Sequence, residues 1–303
     1  MNSRRNLEQM ITPVKQLADA SCPAGVPQAL IESYQGVAAG CRVHVVSSGP
    51  SAAAFANYEL TAGDDHVVVT NGAIIPYAYI ANTWLLMEST LPICAPWFVQ
   101  DESIFDQIQV VLDASCAGHL ESIPSRITCY SEAFWRDVIW CHRWPHGKHG
   151  HTSLRDPGAG LYFRTSSDEP EGSVTLQAIH LAGIMGAAEC HTWGTELMFA
   201  NGEQHVYGDR PYREGDGVTD IVRFAITPNG VAAVTDDGRY SSTPYFIRSA
   251  DAIRDIIDAQ DEMKIVNHSG GLLDWSREHL AQLYQCVNGP ERIWNRYGVS
   301  PRG

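Results

Sequence analysis

The chain has 303 residues, 44% hydrophobic and 18% charged, with a formal net charge of -14, enough to bury a large core as one elaborated domain or two intimate ones. So acidic a surface repels nucleic acid, and no run approaches the ~18 uninterrupted apolar residues of a membrane-spanning helix. Small molecules are the expected partners and, with no apolar signal-peptide core in MNSRRNLEQMITPVKQLADA, a cytoplasmic location is expected.

Helices are predicted over 6–20 and 27–39, separated by Pro23, Gly25 and Pro27, and residues 1–40 are read as an N-terminal helical segment. The first strand lies in CRVHVVSSGPSAAAF, residues 41–55, where a valine-rich run meets Gly49-Pro50 and an alanine-rich stretch. Ser51 is expected to N-cap a helix there, and such a strand-turn-helix junction presents backbone N–H groups and a helix dipole to an anion, typically a nucleotide phosphate. HVVVTNGA is a second strand ending at Asn71, APWFVQDES a third ending at Gln100-Asp101, Ile104 to Ala117 a packed helix, and RITCYS, 126–131, a fourth strand.

The alternation then restarts. EGSVTLQAIHLAGIMG reads as a helix that begins at Gly172-Ser173, carries Val174, Ile179, Leu181 and Ile184 on an apolar face, and ends at Gly186. AECHTWGTEL is the next strand, leading to Gly194 and Glu196. VTDIVRFAITPNGVAAVTDDGRYSSTPYFI reads as antiparallel strands with turns at 228–230 and 236–238, followed by a helix over 250–259, a strand and Gly-rich turn in MKIVNHSGG, and a closing helix over 275–287. The predicted fold is α/β: a Rossmann-like, mostly parallel sheet with flanking helices over 41–303 and a small antiparallel β element in the C-terminal third. Ligands of such sheets sit at the carboxyl ends of the strands. Ser47, Ser48, Gly49, Pro50, Ser51, Asn71 and Asp101 are therefore expected to lie together, with the helix start at Gly172-Ser173 as a second anion-friendly terminus.

Eight scattered cysteines contain no C-x-x-C pair and outline neither a disulfide framework nor a zinc ribbon. WCHRWPHGKHGH, 140–151, gathers Cys141, His142, His146, His149 and His151, but at a spacing that matches no standard metal motif; an acceptor-facing lid or a plain exposed loop are the other readings.

Taken in order, VVSSGPS (45–51), VVVTNGA (67–73), WFVQDES (97–103), EGSVTLQAIHLAGIMGAAECHTWGTEL (171–197), HVYG (205–208), VAAVTDDGRYSSTPYF (231–246) and IVNHSGGLL (265–273) resemble a family. It includes the motility accessory factor glycosyltransferases of flagellin modification and the archaeal 6-hydroxymethylpterin diphosphokinases, and its sheet core is related to that of the bacterial CMP-sialic acid sialyltransferases. The resemblance implies a nucleotide site at Gly49, Pro50, Ser51, Asn71, Gly172 and Ser173. Two departures stand out: Ser47 replaces the first glycine of the usual Gly-x-Gly-Pro-Ser, and Glu196 replaces the aspartate of Gly-x-Asp-Leu. The sialyltransferase base is a histidine just after a Tyr-x-Gly-like stretch, where this chain has Asp209; His205, just before that stretch, is the substitute candidate.

The function this implies is a glycosyltransferase with a nucleotide-activated donor, a CMP-linked sialic-acid-like sugar, and an unknown acceptor. His205 or Asp209 would serve as acceptor base and Tyr207 as donor to the leaving group. That chemistry needs no metal or other cofactor. An alternative is an ATP-dependent pyrophosphotransferase like the diphosphokinases, in which Asp101 and Glu196, two strand-end acids, would hold Mg²⁺ between phosphates. A third is a nucleotide-binding protein without turnover.

Overall fold

The computed structural model describes residues 32–86, 102–113, 139–141, 173–199, 222–228, 230–233, 240–259, 263–283 and 285–286. The predicted helix over 6–20, the strand over 126–131 and the histidine-rich loop after Cys141 lie outside them, and of the N-terminal helical segment only 32–40 are described, helical over 32–34.

Among the described residues seven strands form one sheet: β1 (Arg42–Val46), β2 (Asp65–Thr70), β3 (Thr83–Leu86), β4 (Gln109–Asp113), β5 (Ile139–Cys141), β6 (Glu189–Trp193) and β10 (Lys264–Asn267), in the order β10-β6-β1-β2-β3-β4-β5. Every neighbouring pair is parallel. A three-stranded antiparallel sheet, β7 (Val222–Thr227), β8 (Gly230–Ala233) and β9 (Tyr240–Ser242), stands in the C-terminal third in the order β8-β7-β9. The predicted α/β class and the small antiparallel element are both present.

The strands read as nearly continuous apolar runs because a parallel sheet is covered on both faces. Val43 and Val45 of β1, with Val68, Leu85, Val111 and Cys190, face the layer made by α2 (Val174–Ile184) and α3 (Pro244–Ala259). The alternate residues Val46, Val67, Val69, Trp84, Leu86 and Trp193 face Ala52, Phe55 and, from the short helix α1 (Ile74–Tyr77), Ile74 and Tyr77 on the other side. α2 is buried around nearly its whole circumference, His180 included, which is why its sequence shows no polar face. It stops where expected: Met185 is the C-cap and Gly186, at φ 76°, takes the left-handed position.

Two expectations are corrected. The segment after β1 is a 3-10 helix, Pro50–Asn57, with Gly49 rather than Ser51 at the N-cap and no side-chain cap; Pro50 at the first position fixes φ and lacks the N–H a cap would satisfy. The 104–117 stretch is not one helix. A 3-10 helix, Glu102–Asp106, is followed by β4, whose QVVLD pairs with TWLL in the register Thr83↔Gln109 to Leu86↔Leu112. Among the described residues the strand after β2 is Thr83–Leu86, and the strand expected to end at Gln100-Asp101 lies outside them.

Candidate functional site

From β1 the sheet grows one way through β2, β3, β4 and β5, then the chain returns to lay β6 and β10 on the other side of β1. The connections leaving β1 and β6 therefore diverge, and the crevice expected between the carboxyl ends of those two strands is the usual ligand position in open α/β sheets. Two turns line it, Ser47–Ser51 after β1 and Gly194–Glu196 after β6. They are laced together: the Ser47 amide donates to the Trp193 carbonyl at 2.8 Å, the Gly49 amide to the Gly194 carbonyl at 2.9 Å, and the Gly194 amide to Ser51 Oγ at 3.2 Å.

This packing explains the small residues. A Cβ on Gly49 would lie 1.9 Å from Glu196 Oε2 and 2.5 Å from the Gly194 carbonyl oxygen, and one on Gly194, at φ 67°, 2.3 Å from the Ser47 carbonyl oxygen. The anion received by the β1 turn is the protein's own: the Ser51 amide donates to Glu196 Oε1. The carboxylate is 5% exposed, and Oε2 has no hydrogen-bond partner among the described residues. Burial pushes its pKa up, opposed by the hydrogen bonds to Ser51. Its backbone is clamped as well, with the Leu272 amide on its carbonyl at 2.9 Å and Leu197 beyond it at φ 56°.

On the α2 side, Ser47 Oγ and Thr175 Oγ1 are hydrogen-bonded at 2.7 Å, and Thr70 Oγ1 donates to Ser47 Oγ at 3.3 Å. These hydroxyls tie the ends of β1 and β2 to the N-terminus of α2. Ser173 is buried and caps α2, its Oγ accepting from the Leu176 amide at 3.3 Å, so the hydroxyl serves the helix. Asn71 follows β2 at φ 43°, a left-handed conformation that asparagine tolerates better than most residues, and its carbonyl accepts from Trp84 Nε1 at 2.9 Å.

Of the residues expected at the site, Ser48, Gly49, Pro50, Ser51, Asn71, Ser173 and Glu196 thus cluster around the ends of β1, β2 and β6. Asp101, Gly172, His205, Tyr207 and Asp209 lie outside the described residues.

Sequence reasoning passed over a lane of histidines beside the crevice. His44 and His191, each the third residue of its strand in RVHVV and ECHTW, are direct neighbours in the sheet. Asp65 accepts from Arg42 Nε at 2.6 Å, from the Thr61 amide at 2.6 Å and from His44 Nε2 at 2.9 Å. Burial opposes its ionisation, but these donors prevail and hold it down at about 2. Trp193 Nε1, which can only donate, reaches His44 Nδ1 at 3.3 Å, so His44 carries its proton on Nε2. The second branch runs from Glu189 Oε2 to His191 Nε2 at 2.9 Å, and from His191 Nδ1 to His268 Nε2 at 2.8 Å. A histidine at the same place in two adjacent apolar strands was the available signal. Among the described residues no group of three His, Cys, Asp or Glu side chains is arranged to hold a metal ion, and no helix is long and apolar enough to cross a membrane.

No protein-family model matches the chain, and no curated protein matches it. A solved structure, the MAf glycosyltransferase from Magnetospirillum magneticum AMB-1, aligns over 90% of this chain and 43% of its own, at 15% identity and a TM-score of 0.41. The chain therefore spans less than half the length of that enzyme.

Proposed function

We propose that the chain is a glycosyltransferase that takes its sugar from a nucleotide-activated donor, a CMP-linked sialic-acid-like sugar, with the nucleotide in the crevice between β1 and β6. One observation carries this reading: the Ser47–Ser51 turn, the Gly194–Glu196 turn and the capped N-terminus of α2 converge where the sheet changes direction. The motif resemblance supplies the donor class. Because the Ser51 amide is engaged by Glu196, a donor phosphate would take over that N–H once the carboxyl group is protonated or swings aside.

Glu196 also favours a second reading. A buried carboxylate oxygen without a donor suits a hard cation, and Mg²⁺ bound mainly through substrate phosphates needs only one or two protein carboxylates, as Mg²⁺- and ATP-dependent pyrophosphoryl transfer would require. Thermal-shift titration with CMP, CDP, UDP, GDP and ATP, with and without Mg²⁺, separates the readings. Stabilisation by CMP without metal, with release of CMP from a CMP-sugar, supports the transferase. Stabilisation by ATP only with Mg²⁺ supports pyrophosphoryl transfer, and stabilisation without any turnover leaves a nucleotide-binding protein.

A further inference from the structure

The histidine lane ends at the crevice. β10 stops at Asn267, and the loop after it follows the β6 turn step by step: the His268 amide donates to the Thr192 carbonyl at 2.9 Å, and the Thr195 amide to Ser269 Oγ at 2.8 Å. A Cβ on Gly271 would meet the Glu196 backbone. The His268 ring lies flat on Trp193, with centroids 3.9 Å apart and planes within 5°, and is exposed.

With both rings neutral, the hydrogen bonds fix its tautomer. Glu189 is a carboxylate, held ionised by His191 and then Lys264, and accepts only; His191 must therefore present its proton to Glu189 through Nε2. That leaves His191 Nδ1 as an acceptor, so the 2.8 Å bond to His268 requires the proton on His268 Nε2. The remaining nitrogen, His268 Nδ1, then carries a basic lone pair on an exposed ring beside the β6 turn.

We infer that His268 is the proton acceptor of this site, a catalytic base that acts on the acceptor hydroxyl through Nδ1. The inference rests on the transferase reading. As the acceptor oxygen bonds to the anomeric carbon of the donor sugar, its proton passes to His268 Nδ1, and the bond from that carbon to the phosphate oxygen breaks with its electron pair on the departing CMP. The imidazolium so formed donates through Nε2 to His191, which donates to Glu189, so a carboxylate balances the new charge through one intervening ring. Its proton then leaves to solvent. Besides His191 and Trp193, the described groups that face this pair are His44, with Asp65 and Arg42 behind it, Tyr58 beside both His44 and His191, and Lys264 on Glu189. Burial, then the neighbouring His191 and His44, keep the His268 pKa below the ordinary histidine value, so the neutral ring is the resting form at neutral pH.

Two measurements on the full chain test this. Nitrogen-15 NMR of labelled histidines at pH 8 should show His191 and His268 both protonated at Nε2. His268→Gln, which keeps a donor for His191, should bind CMP within about twofold of wild type, lower release of CMP from the CMP-sugar ~10²-fold, and abolish the acidic limb of the rate profile. A proton on His268 Nδ1, or full turnover in His268→Gln with the limb unchanged, would overturn the assignment. So would loss of turnover in His205→Ala while His268→Gln stays at the wild-type rate. Should the wild-type chain bind CMP yet turn over no CMP-sugar, the transferase reading falls by itself, and the NMR result alone upholds or removes a basic nitrogen at His268.

Discussion

Gly49, Ser51 and Glu196 show how much of the crevice depends on single atoms. Ser51→Ala removes the acceptor of the Gly194 amide, the side-chain tie between the two turns. Stability should fall by about 1 kcal/mol in urea unfolding, and CMP affinity should fall with it because the β1 turn loses its anchor. Gly49→Ala forces a methyl against a backbone carbonyl as well as the carboxylate, so its cost should be larger, about 1–3 kcal/mol. Glu196 makes a pH prediction. Its folded pKa is raised by burial, so its contribution to stability is complete below the unfolded value of ~4.3 and is lost as pH rises through the folded value. Glu196→Gln has no charge to desolvate, so its urea midpoint should gain on wild type between pH 4 and pH 8; a constant difference across that range would place the carboxylate in solvent. The sequence reads this turn as a cradle for a nucleotide phosphate. That it holds an internal anion was hidden because Glu196 is 145 residues away from Ser51, and nothing local to either residue brings them together.

At the scale of elements, the patterns that were readable are the ones burial writes plainly. β1 and β2 are central, valine-rich strands, and α2 ends at a glycine in the left-handed conformation. β3 escaped notice because four residues, TWLL, carry no alternation, and β4 was taken for helix because a short, fully buried strand and a buried helix have the same apolar composition. The histidine branches were missed for a related reason: His44 and His191 sit where buried parallel strands normally carry apolar side chains, and only the register puts them side by side. The cap of α2 allows a direct test. Ser173→Ala removes the acceptor of the Leu176 amide and should lower stability by about 1 kcal/mol, whereas Ser173→Asp, which can cap equally well, should restore it. A loss in both variants would mean that steric fit at this buried position outweighs capping.

For the whole molecule, the sheet encloses neutral histidines. Burial lowers His66 and His180 to about 4, and lowers His44 as well. A depressed folded pKa contributes stability that is present above the unfolded value of ~6.5 and lost as pH falls through the folded one, so these residues make the fold weaken between about pH 6.5 and 4. Glu196 acts in the opposite sense, while Asp65, held at about 2, gives up its contribution only as pH falls from the unfolded value of ~3.9 toward 2, from the lower edge of that window downward. Urea midpoints should therefore decline steadily from pH 7 to pH 4.5, and a flat profile would contradict the burial of neutral imidazoles. The central claim concerns the crevice between β1 and β6, and amide chemical shifts read it most directly. Titrating the full chain with CMP should shift the amides of Ser48, Gly49, Ser51 and Gly194 saturably and together, with Ser51 moving most as its N–H exchanges Glu196 for phosphate. Saturable CMP binding whose shifts fall outside both turns, or no binding at all, would contradict it.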